Sequence, residues 1–262
     1  MAKQPRTVAL LRRRAAKLPS PAKKAIRRAG RFAPARLRGR LGLPARQRVR
    51  WGNLRRTSPF DHRWGLGRGT PVDRVYIESF LERQATDVAG RCLEVMNRDY
   101  TERFGHEAVE LSDVLDLDTT NELATVIADL GVPESLPESR YDCFIFTQTL
   151  HLVPDMRIAL ANCWRALRPG GVLLVTVPTL GVHVTAEGFE HDRWRVTPSG
   201  MRWMLGELHG AESEVTAYGN VLACAALLYG ISAEEMSRRD LEDHDEEFPL
   251  IVAARVRKPP EP

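Results

Sequence analysis

The fold is decided by the stretch YDCFIFTQTLHLVPDMRIALANCWRALRPGGVLLVTVP, residues 141–178. Tyr141 to Thr147 is an apolar segment of strand length, and Val172 to Val177 is a second one. Between them, Asp155 can cap a helix whose apolar side chains recur at helical spacing as far as Leu167. The Arg168-Pro169-Gly170-Gly171 block then ends that helix. This pattern predicts a strand–helix–strand unit whose parallel strands are buried on both faces.

A second stretch, RCLEVMNRDYT (residues 91–101), has the outline of a nucleotide-cofactor strand and turn but lacks the glycines of such turns. Cys92 to Val95 predict a short strand that carries the acidic Glu94, as at the start of the cofactor site in doubly wound α/β domains. Met96 and Arg98 stand where small residues are expected, because glycines let the backbone approach a ligand closely. Asn97 can adopt the left-handed conformation that a glycine would otherwise supply.

The remaining segments alternate between strand and helix patterns. They predict a helix over about 71–88, short strands over 108–117 and 124–128, a helix after Thr197, a strand over 213–218, a helix over 220–230 and a final strand over 248–256. Alternating strands and helices that end in a strand pair indicate an α/β, doubly wound, mostly parallel sheet with an antiparallel hairpin strand at its C-terminal edge.

Charge divides the chain into two predicted regions. Residues 1–56 hold 19 of the 38 Lys and Arg and no acidic residue, whereas 57–262 hold the other 19 against all 34 acidic residues. The basic, Pro/Arg-rich extension favours a disordered, solubilising tail or short helices. It also suits docking to an anionic membrane surface or to a protein partner, since Val8, Leu11, Ala15 and Leu18 have helical spacing among basic residues. Nucleic-acid binding is disfavoured, because few aromatic residues interleave the basic ones.

Four cysteines stand far apart in apolar contexts, which is typical of reduced thiols in a cytosolic protein. The longest apolar run, 221–231, is well short of the ~20 residues that a membrane span requires. We therefore expect a cytoplasmic protein, either free or peripheral at the inner membrane face.

Several of these motifs resemble class I S-adenosylmethionine-dependent methyltransferases, in the broad group called type 11. The motifs are Leu93-Glu94-Val95, Tyr141 to Phe146, Thr149 to Val153 and the block from Leu167 to Leu174. The similarity covers about residues 60–257. Two further segments, 63–74 and 100–105, look like a bacterial subgroup that tends to accompany glycosyltransferases and has a glycine-poor first loop. The resemblance thus implies a glycosyltransferase as a candidate partner of the basic extension. The resemblance implies a seven-stranded Rossmann-like sheet with S-adenosyl-L-methionine over the carboxyl ends of its first strands.

The resemblance also implies a set of cofactor-binding residues. Asp99 can accept hydrogen bonds from the cofactor's amino group. Asp118, with Asp116 as second choice, suits the ribose hydroxyls, although a solvated strand end remains an alternative. Asp129 fits the adenine edge or a plain helix cap. The full set is Glu94, Val95, Met96, Asn97, Asp99, Tyr100, Asp118, Asp129, Thr147 and Gln148.

His151 is the candidate base, because it follows the fourth strand and the ordinary pKa of a histidine lies near neutrality. A structural histidine is the alternative. The loop after the fifth strand contributes His191 and Asp192 as further catalytic candidates. The predicted substrate-binding residues are Arg68, Tyr76, His183, Trp194 and Arg195, although a structural turn around Arg68 is an alternative. No metal is expected, since the spacing of His183 and His191 is not a recognised zinc pattern.

Taken together, the sequence predicts an S-adenosylmethionine-dependent methyltransferase that acts on a hydroxyl of a small molecule, sugar or glycan. The alternative is a catalytically degenerate methyltransferase-like binding module in a glycan-assembly complex, possessing the fold without turnover. A nucleic-acid methyltransferase is disfavoured by the acidic main region and by the absence of an Asn-Pro-Pro-Tyr type motif.

Overall fold

The computed structural model describes residues 50–183 and 191–260. The chain divides into two units, Met1–Arg55 and Arg56–Pro262. Of the first unit, the described residues contain a single 3-10 turn, Gly52–Leu54. The expectations for the basic extension before residue 50 thus lie outside the described residues. No helix within the described ranges is long and apolar enough to cross a membrane.

One seven-stranded sheet organises the second unit. Its strands are β1 Gly90–Val95, β2 Val109–Asp116, β3 Val126–Ile127, β4 Tyr141–Thr147, β5 Leu167–Pro178, β6 Glu212–Tyr218 and β7 Ile251–Arg257. They lie in the order β3-β2-β1-β4-β5-β7-β6. The first five pair in parallel, and β7 runs antiparallel between β5 and β6. The predicted doubly wound α/β sheet with its antiparallel C-terminal strand is confirmed.

Capping residues and glycines in the sequence mark where several helices begin and end. They are α1 Val72–Arg83, α2 Asp99–Gly105, α3 Met156–Ala166, α4 Pro198–Leu205, α5 Val221–Tyr229 and α6 Arg238–Glu242. As predicted, Asp155 caps α3, accepting hydrogen bonds from the Arg157 and Ile158 amides at 2.9 and 3.4 Å. Gly230 ends α5 with φ 64°, and a Cβ there would clash with the Asp61 carbonyl oxygen.

Several element bounds differ from the predictions for local reasons. The first helix ends at Arg83 instead of Val88, and a separate 3-10 turn, Ala85–Asp87, follows it. The Asp87 carboxylate in that turn is held by Arg255 of β7 at 2.7 Å. Strand β5 begins five residues before Val172, because Leu167 already pairs with β4.

Apolar side chains cover both faces of the sheet. On one face, α3 and α4 pack over a cluster that includes Phe144, Phe146 and Leu173. On the other, α1, α2 and α5 cover a cluster that includes Cys92, Ile145 and Leu174. The alternation along β4, with Phe144 on one side and Ile145 on the other, explains why this strand reads as continuously apolar.

The edge of the sheet at which the parallel strands end is the place for a ligand in a fold of this kind. We call it the carboxyl edge. Val95, Asp116, Thr147 and Pro178 end β1, β2, β4 and β5 there. Tyr218 at the end of β6 reaches the same edge, because it pairs with Ile251, which in turn pairs with Pro178.

Candidate functional site

Glu94 fixes the end of β1 to the start of α2. Its carboxylate is almost fully buried and accepts hydrogen bonds from the backbone amides of Tyr100 at 3.2 Å and Thr101 at 2.7 Å. Burial raises the pKa of Glu94, against the opposing effect of these amides. The neighbouring Val95 is half-buried and packs on the core. Glu94 and Val95 thus anchor the turn after β1, one through hydrogen bonds and the other through core packing.

Met96 is the left-handed residue of this turn, with φ 71°. The expectation that Asn97 would supply this conformation is wrong, since Asn97 has no positive φ. Instead, the Asn97 side chain forms two hydrogen bonds with Asp99. Its Nδ2 donates to the Asp99 carboxylate at 3.0 Å, and its Oδ1 accepts from the Asp99 backbone amide at 3.2 Å. The Met96 side chain is 63% exposed, so it lies outside the core.

Tyr100 and Asp99 occupy different environments in the first turn of α2. Asp99 is exposed. Tyr100 is buried, and its hydroxyl accepts a hydrogen bond from Arg74 of α1 at 2.5 Å. Tyr100 therefore joins α2 to α1 and does not present its hydroxyl to open space.

The two candidate carboxylates after β2 differ in position. Asp116 is the last residue of the strand, and its Oδ2 accepts a hydrogen bond from Asn121 Nδ2 at 2.6 Å. The same Asn121 nitrogen donates to the Met96 carbonyl at 2.8 Å. Asp118 is exposed, and one of its oxygens accepts from the amide and hydroxyl of Thr120. Asp116, the second choice from the sequence, is thus the carboxylate joined to the turn after β1.

Asp129 and Gln148 follow β3 and β4. Asp129 is exposed, and its carboxylate closes a local turn by accepting from the Gly131 amide at 2.7 Å. Gln148 has φ 46°, and its amide donates to the Thr176 carbonyl of β5 at 2.9 Å. Thr147 and Gln148 are both half-buried at the carboxyl edge, as expected from their place in the sequence.

His151 lies beneath the carboxyl edge with a side chain that is only 12% exposed. Its Nε2 is 3.8 Å from Asp192 Oδ1, and its buried Nδ1 has no hydrogen-bond partner among the described residues. Burial lowers the pKa of His151 to about 4, with Arg195 acting in the same direction and Asp192 in the opposite one. The imidazole is therefore neutral at pH 7.

Residues 191–195 form a strap across the turn that contains His151. The Arg193 and Trp194 amides both donate to the His151 carbonyl, at 3.3 and 3.2 Å. The Trp194 indole nitrogen donates to the Val153 carbonyl at 3.0 Å. Asp192 is buried and is held by the Arg195 guanidinium at 2.5 and 2.9 Å. A buried carboxylate engaged in this way serves to fix the strap, and a proton-transfer role for Asp192 stays a prediction.

The other loop candidates occupy exposed positions. His191 is exposed, and its Nδ1 lies 2.8 Å from an Arg193 nitrogen. His183 is exposed where the described part of the loop breaks off. Trp194 remains 42% exposed despite its hydrogen bond. Arg195 also donates to the Val182 carbonyl at 2.9 Å, which ties the two described ends of the loop together.

Arg68 and Tyr76 are committed to the packing of the domain. The Arg68 guanidinium forms an ion pair with Glu235, which supports the structural alternative for this turn. Tyr76 is buried against Tyr218 and His244, and burial raises the pKa of its hydroxyl to about 12. These contacts favour a structural role for both residues, and their contact with substrate stays a prediction.

Part of the chain that forms this site matches a known protein family. Residues 82–175 match the family model described as a methyltransferase domain. The match covers 94 of the 262 residues. The class expected from the sequence, the class I S-adenosylmethionine-dependent methyltransferases, is confirmed, and its cofactor is S-adenosyl-L-methionine. No curated protein matches the chain.

Solved structures that are similar to this chain share little of its sequence. An S-adenosylmethionine-dependent methyltransferase from Mesorhizobium loti is 17% identical, with 71% of this chain and 100% of that chain covered and a TM-score of 0.50. DhpI in complex with SAH is 19% identical, with coverages of 74% and 90% and a TM-score of 0.49. A methyltransferase from Archaeoglobus fulgidus is 15% identical, with coverages of 71% and 94% and a TM-score of 0.47.

The residues of the methyltransferase domain fit a polar cofactor at the carboxyl edge. Buried polar side-chain atoms are nearly always hydrogen-bonded in native proteins. Three that are buried here, Arg98 Nε, His151 Nδ1 and Thr179 Oγ1, have no partner among the described residues. Each belongs to a residue that closely follows the end of β1, β4 or β5. A cofactor over the ends of β1 and β5, and an acceptor beside the end of β4, would supply the missing partners.

The structure adds Asn121 to the candidate residues of the methyltransferase domain. It lies five residues beyond the end of β2, in a turn whose backbone conformation cannot be predicted from the sequence. An asparagine after the run Asp118-Thr119-Thr120 reads as an ordinary turn residue. Its bridging role is visible only once the ends of β1 and β2 are placed side by side.

Proposed function

We propose that the domain binds S-adenosyl-L-methionine at the carboxyl edge and methylates a hydroxyl of a small molecule, sugar or glycan. The observation that carries this proposal is the bridge by Asn121 between the Met96 carbonyl and the Asp116 carboxylate. It holds the turn after β1 and the acid after β2 in a fixed relation without a glycine. A preorganised pair of this kind favours ligand binding, since little side-chain entropy remains to be lost.

Different residues at the carboxyl edge would hold the ribose and the methionyl part of the cofactor. Asp116 would accept the ribose hydroxyls, because its two oxygens each accept one described hydrogen bond and retain further acceptor capacity. The backbone of the turn from Met96 to Arg98 would line the methionyl part together with Gln148. When bound, S-adenosyl-L-methionine supplies an electrophilic methyl group on a sulfonium centre.

His151 is the proposed base of the reaction. Because its pKa is lowered to about 4, the imidazole has a free lone pair at neutral pH. With the Nε2 proton directed at Asp192, Nδ1 can accept the proton of the acceptor hydroxyl. The Asp192 carboxylate then faces the imidazolium that forms and favours its charge. General-base assistance of this kind typically contributes a factor of ~10²–10⁴ in rate.

The strap offers a surface for the acceptor. Trp194 is the exposed aromatic group beside His151, and aromatic faces pack well on the apolar faces of sugar rings. His191 and His183 add exposed polar groups near the same loop. These features support a sugar or other polyhydroxyl acceptor over an apolar one.

A degenerate binding module is the second candidate, and Met96 is the observation that favours it. Its long side chain projects from the turn at the position of a family glycine and is largely exposed. If that side chain fills the cofactor space, the domain keeps its fold without turnover. The two candidates differ in whether S-adenosylhomocysteine (SAH) binds.

Matched substitutions of two neighbouring acids test the cofactor site. Asp116→Asn should weaken SAH binding to the full chain at least tenfold by calorimetry, because a charge-assisted hydrogen bond contributes ~1.5–3 kcal/mol. Asp118→Asn, two residues away on an exposed turn, should change the affinity less than twofold. A loss confined to Asp118→Asn, or unchanged binding in both variants, would contradict the assignment.

Transfer of a labelled methyl group from S-adenosyl-L-methionine tests the chemistry. We expect label in sugars or sugar conjugates in a form that survives mild alkali, since ethers are stable where methyl esters are hydrolysed. His151→Asn should reduce turnover at least 100-fold while SAH affinity stays within twofold of the wild type. Alkali-labile label would argue for a carboxylate acceptor, and full turnover by His151→Asn would remove His151 as the base.

A further inference from the structure

Asp73 lies on the inward face of α1, among its apolar residues. The buried residues of this helix include Val72, Tyr76, Ile77 and Phe80. Residues three and four apart share a helix face, so Asp73 shares the face of Tyr76 and Ile77. An acidic residue in the first turn of a helix is common, because it complements the helix dipole. The dipole favours an acid at this end of the helix whichever way its side chain faces, so the inward position needs an explanation of its own.

The amino end of α1 is located at the carboxyl edge. The helix leads through the turn Ala85–Asp87 to the start of β1, so α1 runs opposite to the strands. Arg74, the next residue after Asp73, donates to the Tyr100 hydroxyl at 2.5 Å. Tyr100 belongs to the first turn of α2, directly after the Met96 turn. Asp73 thus faces the sheet at the end where the cofactor turn lies.

The Asp73 carboxylate has few partners for its position. It accepts from the Arg74 backbone amide at 3.0 Å and interacts with its own backbone amide, but it forms no ion pair with a described residue. Its residue is only partly exposed, and burial raises its pKa against the opposing effect of the Arg74 charge. A partly desolvated carboxylate without an ion pair is costly to the free protein. A cationic ligand group at this place would remove that cost.

We propose that Asp73 binds the ammonium group of the methionyl part of the cofactor. The inference rests on the proposed function and names a residue that the sequence did not suggest. Asp99, the acid expected in this role, is exposed and already hydrogen-bonded to Asn97. Asp73, by contrast, combines an inward position, the correct end of the sheet and unused acceptor capacity.

Two ligands that differ in the methionyl part provide the test. SAH carries the amino acid group, whereas 5′-methylthioadenosine lacks it. Calorimetry on the full chain should give at least a tenfold loss of SAH affinity for Asp73→Asn and for Asp73→Ala. Affinity for 5′-methylthioadenosine should stay within twofold of the wild type. Glu78→Gln, which removes a carboxylate paired with Arg103 on the same helix, should change neither affinity.

The possible outcomes separate this inference from the proposed function. If the wild type binds SAH and Asp73→Asn binds it equally well, the assignment of Asp73 is wrong and the cofactor site stands. Equal losses for both ligands would indicate a structural role and would also overturn the assignment. If the wild type binds neither ligand, both proposals fail. Without ligand, Asp73→Asn should unfold at the same or a higher temperature than the wild type, because it removes an unpaired charge.

Discussion

At the scale of single residues, Met96 is the main departure from what a cofactor turn usually contains. Non-glycine residues pay ~1–2 kcal/mol for the left-handed conformation that Met96 adopts at φ 71°. The Leu115 carbonyl and Asn121 hold it there, the former accepting from the Met96 amide at 2.9 Å. The strain is therefore maintained by neighbours on β2 and beyond it.

Met96→Gly should increase the free energy of unfolding by about 0.5–1 kcal/mol. Relief of the left-handed strain outweighs the larger entropy that glycine loses on folding. Chemical denaturation of the full chain measures the change. Asn97→Gly is the matched control and should destabilise or be neutral, because Asn97 has no positive φ to relieve. A loss of stability in Met96→Gly would show that the turn is not strained at this residue.

The sequence anticipated the residue types of the site better than their positions. The sequence predicts an acid at the end of β2 and favours Asp118 over Asp116, because Asp118 ends the alternating segment. The strand ends at Asp116, whose Oδ1 accepts from the Asp118 amide and turns the chain. Such a turn depends on local hydrogen bonds that alternation of apolar and polar residues does not encode. Asp73 and Asn121 were missed for the same reason, since their partners are distant in sequence.

At the scale of elements, the strap of residues 191–195 is held by side chains as much as by backbone. Arg195 neutralises the buried Asp192 and donates to the Val182 carbonyl. Arg193 is exposed and donates to the Leu152 and His191 carbonyls. Arg195 thus pairs with a buried carboxylate, whereas Arg193 forms exposed hydrogen bonds to backbone carbonyls.

Arg195→Ala should lower the free energy of unfolding by about 3 kcal/mol, because it leaves a buried carboxylate without its cation. Arg193→Ala should cost less than ~1 kcal/mol, the usual value of exposed polar contacts. Urea titration of both variants, followed by circular dichroism, would compare them. Equal effects of the two substitutions would mean that the Asp192–Arg195 pair does not hold the strap.

The central elements were predictable because they are buried on both faces. Strand β4 has the predicted bounds, and α3 begins after its predicted cap. The edge strand β3 is only two residues long, since it bonds to β2 alone and its apolar run is partly exposed. Predictions from apolar patterns therefore succeed at the centre of the sheet and weaken toward its edge.

At the scale of the whole molecule, the buried His151 makes stability depend on pH. Its pKa is about 4 in the folded protein and about 6.5 when exposed. Between pH 6.5 and 4, His151 is therefore protonated in the unfolded chain but stays neutral in the folded protein. This contribution to stability is fully present above pH 6.5 and is lost as the pH falls toward 4.

His151→Gln should flatten the pH dependence of unfolding by roughly 3 kcal/mol between pH 7 and 4, from a shift of about 2.5 units at 1.36 kcal/mol each. Carboxylates titrate in the same range, so the difference between variant and wild type is the quantity to compare. His209→Gln, at an exposed position, should follow the wild-type curve. Parallel curves for His151→Gln and the wild type would mean that His151 is not buried in its neutral form.

The central claim is that a turn without glycines still binds the cofactor of this methyltransferase domain. Calorimetric titration of the full chain with SAH tests it most directly. We expect one molecule bound per chain, with a dissociation constant in the micromolar range that Asp116→Asn raises at least tenfold. Absence of binding at millimolar SAH would contradict the claim and leave the degenerate binding module as the account of this protein.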